Sequence, residues 1–106
     1  MIHKLTIGHF DVEALKKGKL VVLRPLDSEV VTRLLREVGQ VGEDSRAFLG
    51  GHVVEMKNGY IVCPWLMGQR VMATEEFAKR LQRETGCILY DAGRREIVSV
   101  EQMTEW

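Results

Sequence analysis

The side chains able to do chemistry in this 106-residue chain are few and scattered. Cys63, Cys87, His3, His9 and His52 supply the candidate nucleophiles, bases and metal ligands. A thiol enzyme needs a histidine beside a cysteine and a group that lowers the thiol pKa. Zinc needs closely spaced pairs of cysteine and histidine, a spacing that no two of these residues have. Glu43, Asp44 and Glu55 are the remaining acid/base candidates, and exposed carboxylates are too common to single out a reaction. The sequence therefore assigns no catalytic residue, no metal and no cofactor.

The stretch VCPWLMG, residues 62–68, is the most suggestive of a site. Cys63 precedes a proline that reads as the end of a strand. Upstream, Asn58-Gly59 separates two alternating apolar runs, the signature of a two-residue type I′ hairpin. That turn sets Met56 opposite Ile61, Glu55 opposite Val62, Val54 opposite Cys63 and His52 opposite Trp65. Side chains alternate between faces, so Val54, Met56, Ile61 and Cys63 share one face and Val53, Glu55, Lys57, Tyr60 and Val62 the other. Cys63 is thus expected to be a buried, inert thiol. His52 and Trp65, at the open end of the hairpin, are the better candidates for binding, with Arg70 close by in sequence to Trp65.

Phe48 and Met67 lie on the segments flanking that end. Tryptophan and arginine dominate binding hot spots, and methionine adapts to varied surfaces. His52, Trp65, Arg70, Phe48 and Met67 therefore form the expected binding group, facing either a protein partner or a small-molecule pocket. Residues 40–51, QVGEDSRAFLGG, show no clean period and read as a long surface loop of the kind that carries function. Its glycines lack the GK[ST] ending of a phosphate cradle.

The elements that would position this group follow from periodicity and punctuation. Ile2 to Gly8 alternates as a strand, and Asp11 caps a short helix from Val12 to Lys17 that Gly18 ends. Leu20-Val21-Val22-Leu23 is a continuous apolar run, expected of a strand covered on both faces, and Pro25 ends it. Asp27 or Ser28 caps a second helix with Val30, Val31, Leu34, Leu35 and Val38 at helical spacing. Thr74 is expected to cap a third helix that Gly86 closes. Cys87–Asp91 and Arg95–Val100 then read as a hairpin around Ala92-Gly93, with Leu89 opposite Ile97 and Ile88 opposite Val98. Strands adjacent in sequence usually pair, so the expected fold is a single α+β domain over 1–106. Its sheet would be mostly antiparallel or mixed, of about five to six strands, with two to three helices on one face.

Fifteen basic residues balance fifteen acidic ones, and the zero net charge argues against a nucleic-acid partner. Lys16-Lys17 and Arg94-Arg95 are isolated pairs read as solvated turns. MIHKLTIGHF has no signal-like apolar core and no segment is long enough to span a bilayer, so the expected location is the cytoplasm, away from membranes. FAKRLQRETGCILYD, a helix, a glycine and a strand, is too generic to identify a family. The function these features favour is a non-enzymatic binding protein of the immunity, adaptor or regulatory kind, acting through a protein partner or as a homo-oligomer. The alternative is a small-molecule-binding domain or small enzyme with a pocket near His52 and Trp65.

Overall fold

Alternation in KLTIGHF sends Leu5 and Ile7 to one side of the first strand and Lys4, Thr6 and Gly8 to the other. Both apolar side chains are fully buried. The computed structural model describes residues 2–44, 46–66 and 71–101. In chain order the elements are β1 (Ile2–Phe10), α1 (Val12–Lys16), β2 (Val22–Arg24), α2 (Ser28–Val38), β3 (Gln40–Val41), β4 (Ala47–Leu49) and β5 (His52–Met56). After these come β6 (Ile61–Leu66), α3 (Met72–Thr85), β7 (Ile88–Asp91) and β8 (Glu96–Val98). The fold is α+β as expected. Its antiparallel sheet has eight strands, ordered β3-β4-β5-β6-β1-β7-β8 with β2 paired to the end of β1.

The added strands come from the segment read as a loop. Ala47–Leu49 pairs with His52–Val54, and the turn between them is Gly50-Gly51, with φ of 58° and 82°. Two consecutive positive φ values are the requirement of a type I′ turn, which glycine meets without strain. At Asn58-Gly59 only the glycine has positive φ, 90°, so that turn is not type I′. It nonetheless gives the expected pairs Glu55–Val62 and Met56–Ile61.

The main core lies between one face of the sheet and helices α2 and α3. Leu5, Ile7, Ile61, Cys63, Trp65 and Leu89 from the sheet meet Val31, Leu34, Leu35, Phe77, Ala78 and Leu81 from the helices. Asp27 caps α2 by accepting from the Glu29 and Val30 amides, and Asp11 caps α1 in the same way. Arg33 pairs with Glu37 and Glu84, and Arg80 with Glu37 and Glu76, which ties α2 to α3 across their exposed sides. The hydrogen bond from Arg80 holds the Glu76 carboxyl below its ordinary pKa. Pairs this exposed each add little to stability. On the opposite face a smaller cluster forms from Phe10, Leu15 and Tyr90, so α1 packs there.

Three expectations are corrected. The Leu20–Leu23 run is not a covered strand: Leu20, Val21 and Leu23 are 42%, 43% and 67% exposed, and only Val22 turns inward toward the small cluster. The final hairpin is displaced by one residue, pairing Leu89 with Val98 and Tyr90 with Ile97. Its four-residue connection holds Arg95 at φ 57° and is stabilised by Asp91 Oδ1, which accepts from the Gly93 and Arg94 amides. Thr74 lies inside α3, whose N-cap is Val71, and is fully buried. Among the described residues no helix is long and apolar enough to cross a membrane.

Gly39 ends α2 and lets β4 pass directly beneath the helix terminus. A β-carbon there would collide with the Phe48 carbonyl oxygen and press on Leu49 Cδ2. Gly39→Ala is expected to lower unfolding free energy by about 1–3 kcal/mol, the usual effect of overpacking a site that cannot relax. Urea denaturation measures this, and an unchanged midpoint would contradict the close approach of helix and strand.

Candidate functional site

Pro64 lies within β6 and shapes a cavity at the sheet surface. Strand β6 does not stop at this proline; it continues to Leu66, and Lys4 of β1 sits opposite Pro64. In an antiparallel ladder a residue's amide and carbonyl point toward the same neighbour. The Pro64 carbonyl accepts a hydrogen bond of 2.8 Å from Thr74 Oγ1, so its nitrogen, which has no hydrogen to give, faces that side as well. The register pairs of β5 with β6 are Glu55–Val62 and Met56–Ile61. Beyond them, where Pro64 has nothing to donate, β5 pairs with β4 instead. Thr74 takes the place of the missing ladder partner.

The gap that opens is a cavity of about 210 Å³ lined by Lys4, His52, Val53, Glu55, Val62, Cys63 and Pro64. Lys4 on β1 and Glu55 on β5 flank β6, and their 3.2 Å ion pair reaches across that strand. Val62, opposite both Glu55 and Thr6, is buried beneath this span. The bridge itself is exposed and worth little to stability. Its consequence is local, since each charge already has its counter-ion at the rim of the cavity.

The expected binding group is not assembled as the hairpin pattern implied. His52 is half-buried on the cavity wall and pairs with Leu49 of β4, so the expected pairing with Trp65 is replaced. Trp65 pairs with His3 and is 3% exposed, packed in the main core, so its ring does not present a surface anchor. Phe48 lies in β4 opposite Val53 and Gln40 and is half-buried. Met67 and Arg70 lie outside the described residues. Lys4 and Glu55 were missed as a pair because they are 51 residues apart, and only the sheet order brings them together.

Cys63 borders this cavity, but its side chain belongs to the main core. Cys63 is fully buried, and desolvation, reinforced by nearby Cys87, pushes its pKa far above the thiol range. Burial raises Cys87 too. A thiol held neutral is a poor nucleophile and a poor metal ligand. Among the described residues no three His, Cys, Asp or Glu side chains gather where they could hold a metal ion. The Lys4–Glu55 pair and His52 give the cavity a polar lining.

Comparison of the chain with protein-family models, with curated proteins and with solved structures finds no match.

Because burial raises both thiol pKa values above their unfolded value of about 8.5, the neutral thiols contribute fully to stability below that pH. The contribution is lost as pH rises above it toward the folded-state values. Iodoacetamide at pH 8 is expected to leave both cysteines of the native protein unmodified while the urea-denatured chain is alkylated completely. Stability should decline above about pH 8.5. Equal alkylation rates in the two states would contradict the burial of these thiols.

Proposed function

We propose that the protein works by binding rather than catalysis, and that it docks an extended, apolar segment of a partner protein, flanked by acidic residues, along strand β2. The observation that carries this reading is the exposure of the LVVL run. Leu23 on β2, and Leu20 and Val21 on the segment leading into it, are exposed, and the ladder partner of β2 among the described residues is β1 alone. Val12, at the start of α1, is exposed beside them, and the Asp11 amide bonds the Val21 carbonyl, which ties the two segments together.

An open strand edge offers backbone donors and acceptors to an incoming strand, and alternate side chains supply the apolar contact. The charges at its ends indicate the partner. Lys19 and Arg24 bracket the run, and neither has an ion-pair partner among the described residues. Pairing with a second copy is disfavoured by the same charges. LVVL is palindromic, so antiparallel self-pairing with Leu20 against Leu23 would set Lys19 directly against Arg24, and like charges in that position are destabilising. A partner strand with carboxylates at its ends removes that repulsion.

Neutral thiols and a counter-ion-paired cavity rim support a binding role over chemistry. His9, opposite Arg24 in the β1–β2 ladder, adds a pH signature. Its pKa is lowered, first by burial and then by the Arg24 charge, so its contribution to stability is lost as pH falls below about 6.5.

The reading is tested with a synthetic probe, a nine-residue peptide of alternating valine and threonine with two glutamates at each end, titrated into the protein and followed by amide NMR shifts. Saturable shifts centred on 20–24 are expected. Fully burying Leu23 is worth about 1.5–3 kcal/mol, so Leu23→Glu should weaken binding about tenfold or more while leaving the fold intact. A peptide with lysines in place of the glutamates should not bind. Equal binding of both peptides would overturn the proposal, as would sedimentation equilibrium showing a dimer that Leu23→Glu dissociates.

A further inference from the structure

A lysine and an arginine far apart in sequence meet at one cleft. Lys19, just after α1, and Arg95, in the β7–β8 connection, line a cavity of about 200 Å³ together with Thr6, Leu15, Leu20 and Tyr90. We infer that this cleft is a binding site for a small organic anion, a carboxylate or phosphate monoester carried on a short apolar body. The inference concerns a different ligand from the partner strand and does not depend on it.

Sheet register places the polar groups. Thr6 is opposite Tyr90 across β1 and β7, and Tyr90 is opposite Ile97 across β7 and β8, so the three form one row on the face that α1 partly covers. Thr6 and Tyr90 are 6% and 7% exposed. Neither hydroxyl has a hydrogen-bond partner among the described residues, and neither is sealed from solvent. Buried hydroxyls are normally satisfied, and each can donate to an anion. Lys19 and Arg95 likewise have no ion-pair partner among the described residues, whereas Lys16 on α1 is paired with Glu13. Leu15, Leu20 and the Tyr90 ring supply the apolar wall.

Two cations and two hydroxyls without partners among the described residues, beside an apolar wall, form a combination suited to an amphiphilic anion. Carboxylates and phosphates accept charge-assisted hydrogen bonds from such groups, and the fork of Arg95 suits either. Pockets for drug-sized ligands are larger, about 300 Å³ and upward, so the ligand is small. Arg95 at φ 57° also has a conservative replacement, because asparagine tolerates that backbone conformation while removing the charge.

Phenyl phosphate and benzoate are the probes, with benzyl alcohol and inorganic phosphate as controls, each titrated into the intact protein and followed by amide NMR shifts. Saturable shifts at residues 6, 15, 19–20, 90 and 92–95 are expected for phenyl phosphate, benzoate or both. Binding should weaken at least fivefold in Arg95→Asn and measurably in Tyr90→Phe and in Thr6→Val, each of which preserves side-chain volume. Leu23→Glu, outside the cleft, should leave it unchanged, so failure of the strand-docking reading and failure of this one are read separately. Benzyl alcohol binding as tightly as benzoate would overturn the inference by showing a merely apolar dent. Shifts that do not saturate, or that survive Arg95→Asn undiminished, would overturn it as well.

Discussion

Strand β1 ties the sheet together. It is hydrogen-bonded on both sides, to β6 over Ile2–Ile7 and to β7 over Leu5–Gly8, and its end carries β2. Leu5 and Ile7 anchor the main core under α2 and α3, while Phe10 anchors the smaller cluster under α1. Where its partner β6 contains Pro64, the ladder on the far side parts and a cavity opens. Past Gly8 the chain shifts register between His9 and Phe10 and leaves β2 at the margin of the sheet. Each of the surfaces discussed above is therefore set by what one strand can and cannot pair with.

The two faces of the sheet differ in how they are closed. Helices α2 and α3 cover one face with a mainly apolar contact that includes the buried Thr74, and their exposed sides are joined by Arg33, Glu37, Glu76, Arg80 and Glu84. Among the described residues the other face is covered by the five-residue helix α1 and crossed by the Lys4–Glu55 ion pair. Short cover leaves polar rows accessible between apolar ones. That is why the cavity at Pro64 and the cleft at Thr6 and Tyr90 both include residues from this face.

Much of the frame was legible in local sequence because its determinants are local. Asp11, Asp27 and Gly86 mark helix ends by hydrogen bonding or backbone conformation that depend on a few neighbours. Asn58-Gly59 set the Glu55–Val62 register although the turn adopted differs in type. What failed depends on neighbours distant in sequence. The LVVL run has the composition of a doubly covered strand, and nothing within it reveals that it lies at a margin. Two- and three-residue strands such as Gln40–Val41 and Ala47–Leu49 are too short to establish a period, so their hairpin looked like a loop. A proline in local sequence marks a strand end and so puts Trp65 at a rim; Thr74, ten residues on, satisfies the carbonyl that allows the strand to continue.

The apolar LVVL run stands at an open edge while β1 is held from both sides. Hydrogen–deuterium exchange of the native protein, read by peptide mass spectrometry, tests it directly. Peptides covering 4–8 are predicted to exchange only with global unfolding, and those covering 20–24 to exchange orders of magnitude faster, as expected for a singly paired edge. Protection of 20–24 equal to that of 4–8 would mean that the run is covered on both sides, and would contradict the account.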